Sequence, residues 1–573
     1  MPEPHRTVTA PLRVCRPLGY SQLAMAVAAD ALVRRSRAQG RPAELVVPAV
    51  TGDAAGHYQF ERELSREGYD RATLDPQEYA HRSATFDDQR MAGVAELLGT
   101  LGVAGSLAEV STTAPEVVRA TRTAFVTLYE QGMIEHAQRV VLGCPRCRTP
   151  LDDLDVEAAE LDAERLTLSV PTSAGGELTV QTTAPELLAG AVAVLVPVDH
   201  PAAGTEALVP LTGRPIPVLE DGVGTPVRLV VGAHDAGAGE LVARAGLAMV
   251  PVLDSAGVVV APGPLQGLGR YAARAAARQL LVAEGVVAAA EPTVEQSGRC
   301  GCCGSVVVPY LGWHWFLRSG EMETAAGDAV RDGLVSFVPS GARDAFLALA
   351  GVRRDWCLSS TMAGGVAVPA ARCLDCGRLA VEAEPAASCG GCMGPVEAEC
   401  ETLDARFVAA VWALVLGGWP ARRGGAGDEP ETNAVVAADD LSRWVLPALA
   451  LGLRLAGASP FSRVSVHPWP AESEPEVEPF IGAGSDRRVL RLALVEGSGD
   501  IGAARSAVAA LDQHRGPAGD AAAAAAATAA GVAALGEGSP AQAGGLLASA
   551  LGAGIAGGAD EGLRELALAI LGD

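Results

Sequence analysis

The spacing of apolar and polar positions divides the chain into stretches of different period. Leu12–Cys15 is short and apolar, Ser21–Arg37 repeats its apolar positions at helical spacing, and Ala43–Val50 is an apolar run ending at Pro48 and Gly52. That sequence of periods predicts strand, turn, helix, strand. It is the opening of a Rossmann-type nucleotide fold, where ligands sit at strand C-termini beside the next helix N-terminus. From about 166 to 295 short Val/Leu runs alternate with Gly/Pro turns, which predicts a β-rich segment. Phe407–Gly418 is among the longest apolar runs and is too short to span a bilayer. From Ile501 to Asp573 the chain is low-complexity Ala/Gly with weak helical period, broken at Gly516–Gly519 and Gly552–Gly558.

Composition sharpens this. The 573 residues, 49% hydrophobic and 20% charged, suffice for three or four folded domains. The start, Met-Pro-Glu-Pro-His-Arg, lacks a charged-then-apolar export signal, so a cytoplasmic protein with no membrane segment is expected. Net charge is −24, and all 44 basic residues are arginine, with no lysine. Polyanion affinity comes largely from cationic contacts to phosphate, so this balance argues against RNA binding except at a local arginine patch.

The 12 cysteines divide into eight in Cys-x-x-Cys pairs and four others, Cys15, Cys302, Cys357 and Cys400. Cys373/Cys376 and Cys389/Cys392 lie twelve residues apart, with Gly377, Gly390 and Gly391 in or beside the turns. Four thiolates on so tight a ribbon make a closed tetrahedral zinc site. Two disulfides are the competing reading, disfavoured where thiols stay reduced. Cys144/Cys147 taken alone fits a metal knuckle or a redox pair.

Around these cysteines the chain resembles the valyl-tRNA synthetase family, the class I editing branch. The frame is Asp355-Trp356-Cys357, Ser359, Gly365, Pro369-Ala370 and Cys373, with Ala124-Phe125, Leu128-Tyr129-Glu130, Gly132 and Ile134 leading into Cys144-Pro-Arg-Cys147. The resemblance covers about 12–500. It implies that Cys300/Cys303 completes a shared zinc site with Cys144/Cys147, making about two zinc ions, with Cys302 competing for a ligand position. It implies a class I α/β fold: 1–165, the first half of a Rossmann-like core with the first knuckle; 166–295, a β-rich editing-like domain; 296–400, a connective region with the second knuckle and the ribbon; 401–500, the second half of the core; 501–573, a helical remnant of the anticodon-binding region. The family's activity, ATP-dependent attachment of valine to tRNA with editing, makes valine, ATP and tRNA the implied partners.

What the frame carries differs from the family. Gly19-Tyr20-Ser21-Gln22 stands where the family has His-x-Gly-His, and no histidine lies between His5 and His57. The place of the Lys-Met-Ser-Lys-Ser loop, Pro468–Ile481, holds Glu472, Glu474, Glu476 and Glu478 and no arginine. Asp53 of Asp-Ala-Ala-Gly and Asp439 are remnants of the amino-acid and ATP pocket, Asp439 reading equally as a solvated helix-start aspartate. Thr182, Thr183 and Asp235 are remnants of the editing pocket, where Ala184, Leu187, Leu229, Val231 and Ala238 replace the family's polar residues. His234 beside Asp235 is a dyad or, more in keeping with adjacent positions, structural. Trp313 and Trp315 are core or a stacking platform, core being the commoner use. The expectation is a degenerate, truncated paralogue, non-catalytic or repurposed, with a protein partner open to it. The alternatives are residual activation of valine or a related amino acid, and a stand-alone deacylase.

Overall fold

The computed structural model describes residues 5–13, 19–71, 73–103, 111–221, 226–352, 355–362, 364–384, 386–422, 431–467, 491, 494–495, 504 and 570. The Pro468–Ile481 segment and nearly all of the Ala/Gly tail lie outside them. The chain forms two compact units, one of Met1–Ile134, Arg318–Asp355 and Met362–Asp573, the other of Glu135–Leu317 and Trp356–Thr361. Among the described residues no helix is long and apolar enough to cross a membrane.

The first unit is built on a five-stranded parallel sheet in the order Ser336–Val338, Arg463–Val466, Thr432–Val436, His5–Thr9, Ala43–Val46. From His5–Thr9 the chain moves to one side through the helix Tyr20–Ala38, while the later strands fill the other side. The strand order therefore reverses between His5–Thr9 and Thr432–Val436. In open α/β sheets the crevice beyond the strand C-termini at such a point is where ligands bind.

The predicted helix over Ser21–Arg37 is Tyr20–Ala38, and Leu23–Ala29 is almost wholly buried along it. The predicted strand Ala43–Val50 is two strands, Ala43–Val46 and Ala49–Val50, because Pro48 between them has no N–H for a ladder. The first sheet strand, His5–Thr9, is not visible in the apolar pattern because it alternates with threonines. Thr7 and Thr9 are nonetheless buried, and Arg6 reaches the Leu416 carbonyl (2.9 Å) and Glu44 (3.3 Å).

The second unit is β-rich, as the 166–295 pattern predicts. It holds a four-stranded sheet (Glu206–Leu208, Pro215–Asp221, Ala193–Pro197, Arg228–Val230) and a three-stranded one (Val287–Cys300, Val156–Pro171, Glu177–Thr182). Alternate residues Leu166, Leu168 and Val170 face Val180, Val194, Val196, Ile216 and Val218 in one core. A third sheet joins Asp355–Cys357, Val308–Arg318, Ile134–Cys144 and Thr149–Leu151. The fully buried Glu186, on the Pro185–Gly190 turn, is held by Arg274 (2.7 Å) and Arg270 (3.4 Å) of the helix Arg270–Ala283.

One buried arginine ties distant parts of the first unit. Arg491, fully inaccessible, donates to Asp30 on the Tyr20–Ala38 helix (2.8 Å) and to the carbonyls of Leu101 (3.1 Å) and Ile570 (2.8 Å). Removing one partner of such a pair strands a charge and two carbonyls away from water. Arg491→Ala should therefore lower unfolding stability by about 3–5 kcal/mol, read as an earlier urea midpoint. A change within about 0.5 kcal/mol, the usual size of a surface substitution, would contradict it.

Candidate functional site

The four Cys-x-x-Cys turns share one backbone design. The residue after each second cysteine is left-handed: Arg148 (φ 54), Gly304 (φ 70), Gly377 (φ 71) and Met393 (φ 60). Each donates its N–H to the carbonyl of the first cysteine, at 2.7, 2.8, 3.0 and 2.9 Å in that order. Inside three of the turns a backbone N–H also points at the first sulfur: Cys147 N to Cys144 Sγ (3.3 Å), Cys376 N to Cys373 Sγ (3.5 Å) and Gly391 N to Cys389 Sγ (3.4 Å). These donors favour thiolates. Backbone N–H groups of Cys392 and Gly391 pull the Cys389 thiol down to about 6, and that of Cys376 lowers Cys373.

The turns converge in pairs. Cys144, Cys147, Cys300 and Cys303 bring four sulfurs within 4.8 Å of one another, and so do Cys373, Cys376, Cys389 and Cys392. Sulfurs approach one another between turns, Cys144 to Cys303 (3.4 Å), Cys373 to Cys392 (3.4 Å) and Cys376 to Cys389 (3.7 Å), and are hydrogen-bonded within turns as well. A redox pair needs only the two sulfurs of one turn, whereas here four converge. Zn–S bonds of about 2.3 Å place tetrahedral sulfurs about 3.8 Å apart, so both sets fit a four-coordinate structural zinc with no position left for substrate. The structure brings Cys303, not Cys302, into the first set, and Cys302 stays half-buried beside it.

At the crevice side of the parallel sheet, the aspartates are engaged locally. Asp53 caps the helix Ala54–Arg66, its carboxylate accepting from Gly56 N (2.8 Å). Gly52 before it (φ +72) lies so close to Gly364–Gly365 that a Cβ there would meet the Gly365 nitrogen at 2.9 Å. On the other side of that glycine pair stand Ser83, Asp87 and Thr402. Burial, then the neighbouring Asp53 charge, push Asp87 up to about 7. Asp439 is exposed and paired with Arg13 (3.6 Å) and Arg443 (4.0 Å). Asp440 accepts from Ala437 N (3.0 Å) and is raised to about 7 by burial and by Asp439. Asp87 went unread in the sequence, although Ser83, Asp87 and Arg90 share helical spacing on the Pro76–Thr100 helix, whose buried side includes Ser83, Phe86 and Arg90.

In the second unit Thr182, Thr183 and Asp235 are likewise engaged locally. Thr182 Oγ1 accepts from Ala184 N (3.0 Å), Thr183 is half-buried, and Asp235 accepts from Ala238 N (3.1 Å) at the start of the Ala236–Arg244 helix. His234 belongs to another network: one ring nitrogen faces the Pro309 carbonyl (2.7 Å), the other accepts from Val252 N (2.8 Å) and Leu253 N (3.2 Å). Burial lowers its pKa, so it is a neutral structural imidazole and not half of a dyad. Of the tryptophans, Trp315 is fully buried, whereas Trp313 is 57% exposed and lies against His136 (5.4 Å).

Two outcomes are expected. Gly377→Ala should cost the ribbon about 1 kcal/mol of zinc-binding free energy in chelator competition, while Met393→Gly should hold or gain, since only glycine takes the left-handed form without strain. Equal losses would sink the knuckle argument. For Asp87, a folded value near 7 lies above the usual 3.8, so the folded state retains a proton that the unfolded state has lost. Wild-type stability relative to Asp87→Asn should therefore fall between pH 4 and pH 7 and level off above, by about 4 kcal/mol. A flat difference across that range would show that Asp87 titrates normally.

The family model described as tRNA synthetases class I (I, L, M and V) matches residues 18–388. The valine--tRNA ligase of Geobacter sulfurreducens is 32% identical over 422 residues, 71% of this chain and 48% of that protein. Those of Clostridium perfringens and Streptomyces coelicolor are 29% and 31% identical over 456 and 464 residues, each covering 76% of this chain and 51% of the relative. This chain thus spans about half the length of the curated relatives it matches. The solved Mycobacterium tuberculosis methionyl-tRNA synthetase bound by methionyl-adenylate overlaps at TM-score 0.48 and 12% identity, over 96% of this chain and 81% of that one. With well over half of its length inside the family model and this set of relatives, the chain belongs to the class I tRNA synthetases, as a member of the valyl-tRNA synthetase family.

Proposed function

We propose that this chain is a zinc-stabilised class I synthetase body that has given up amino-acid activation and acts as a cytoplasmic binding or scaffold protein for a protein partner. In this reading 1–165 and 401–500 are the catalytic-type core, 166–295 the editing-like domain, 296–400 the connective region and 501–573 the remnant of the anticodon reader. One observation carries it: the groups that the family sets against a triphosphate are replaced at both places. The helix opening the crevice begins Gly19-Tyr20-Ser21-Gln22, and Pro468–Ile481 offers four glutamates and no cation. Charge developing on pyrophosphate in the transition state needs fixed donors and cations aimed at it. Carboxylates there work against the reaction. The capping roles of Asp53, Thr182 and Asp235 support the same reading, as does Asp439, already paired with arginines.

In this reading the two zinc ions are structural. Bound by Cys144, Cys147, Cys300 and Cys303 and by Cys373, Cys376, Cys389 and Cys392, they would cross-link the turns and supply no chemistry to a substrate. The net charge of −24 without lysine sets the chain against tRNA as a partner.

A second reading is residual ATP-dependent activation of valine or a related amino acid, for tRNA charging or specialised metabolism. Arg13 and Arg443 beside Asp439 favour it, since they put two cations near the C-terminal end of Thr432–Val436. ATP–pyrophosphate exchange with the purified protein across the twenty amino acids, against a valine--tRNA ligase control, separates the readings. The expected result is no exchange above background. Exchange with any amino acid would overturn the first reading and establish the second. Amino acid released from charged tRNA without ATP would instead give Asp235 a deacylase role.

A further inference from the structure

The first sulfur cluster has one more thiol than a tetrahedral metal can use. Cys300-Gly301-Cys302-Cys303 places three cysteines in four positions, and two of them, Cys300 and Cys303, join Cys144 and Cys147. Cys302 is left over, half-buried, with its side chain hydrogen-bonded to Cys300. Cys144, Cys147 and Cys300 are buried, so water and small oxidants meet the cluster on the side of Cys302 and Cys303. Gly301 between the hydrogen-bonded pair is held by its N–H on the Asp155 carbonyl (2.9 Å), so closing the sulfur–sulfur distance falls to the two cysteine side chains.

The ribbon supplies an internal control. Between Cys373 and Cys392 all four cysteines are in the cluster, and the next one, Cys400, is turned to Glu399 (3.7 Å). Cys357 is likewise set apart, packed with Val141, Tyr310 and Phe316. Among the described residues the two clusters thus differ in one respect that matters to redox chemistry: the first has a further thiol hydrogen-bonded to a ligand sulfur and the ribbon has none.

We propose that Cys302 is a reversible oxidation site that discharges the first zinc, by forming a disulfide with the zinc ligand Cys300 when the protein meets hydrogen peroxide. The Cys302 thiol takes one oxygen from peroxide, giving a sulfenic acid and one water. The Cys300 sulfur then attacks the Cys302 sulfur, the S–O bond breaks, and hydroxide leaves. Two thiols are oxidised by two electrons and one peroxide becomes two waters, counting the proton that the hydroxide takes up. Cys300 can no longer donate as a thiolate, the ligand set falls from four to three, and the zinc departs. A dithiol reductant reverses the step by exchange, returning both thiols. The idea rests on zinc filling both clusters and is independent of whether any amino acid is activated.

The test uses the full chain loaded with zinc, its metal content measured before oxidant is added. Fewer than two ions at that point would refute the zinc reading itself. With stoichiometric peroxide and a chromogenic zinc chelator, wild type should release one of its two ions in a fast phase, and a dithiol should restore it. Peptide mapping after alkylation should find Cys300 joined to Cys302 and the ribbon cysteines free. Cys302→Ala should keep both ions and release the first roughly tenfold more slowly. Equal release rates in the two proteins would overturn the proposal. So would a wild-type disulfide that omits Cys302, a map that needs no variant to fold. Loss of the first zinc from Cys302→Ala before oxidation would also overturn it, by making Cys302 a ligand.

Discussion

Four thiolates at one point are the constraint on which both units depend. Two unit charges 3.4 Å apart, the separation of Cys144 from Cys303 and of Cys373 from Cys392, repel by about 5 kcal/mol even at an effective dielectric of about 20. No cluster of four can ionise on those terms without a dication among them. The backbone is arranged around that requirement. Each turn is closed by a left-handed residue, and two of the four, Arg148 and Met393, accept the strain of that form with a full side chain. Strain of this kind persists only where the surroundings over-determine it, and here the surroundings are four converging sulfurs. In the first unit the same closure anchors the chain that runs back from Cys373 through Ala370 to Gly364–Gly365, the pair that packs on Gly52.

The clusters were legible in the sequence because their signal is local. Cys-x-x-Cys spacing dictates which sulfurs share a turn, and the family resemblance supplied the pairing of Cys144/Cys147 with Cys300/Cys303 across an insertion. The helix Tyr20–Ala38 was legible for the same reason, its apolar period being uninterrupted. The strand His5–Thr9 was not, because a central parallel strand can bury threonines if the ladder satisfies its backbone. Nor was Asp87, whose neighbours Asp53 and Gly364 come from distant parts of the chain. The split fate of the tryptophans shows the limit most plainly. Trp313 and Trp315 share one face of a strand, yet one is core and the other half-bare, and only the cover over each position decides which.

Several side chains that the resemblance marks for chemistry do the work of caps and turns in this molecule. Asp53 and Asp235 each accept a backbone N–H near the start of a helix, and Thr182 holds a turn. A cap contributes about 1 kcal/mol on its own account, which gives such a residue a structural reason to stay whatever becomes of a substrate. Retention of an aspartate at a family position is therefore weak support for activity. The test that separates the two roles is whether activity survives when the cap is kept by another capping residue.

The all-arginine charge set extends this argument from single residues to the whole chain. Three arginines are used as forks: Arg274 on Glu186, Arg491 on Asp30 and two carbonyls, Arg214 on the carbonyls of Ala189 (2.9 Å) and Ala191 (2.6 Å). A planar guanidinium with several donors suits fixed geometry of this kind. A lysine ammonium is a compact charge on a flexible stem, suited to following a phosphate that moves as bonds break. With 44 basic residues and every one of them arginine, the cations of this chain are all of the kind that locks geometry.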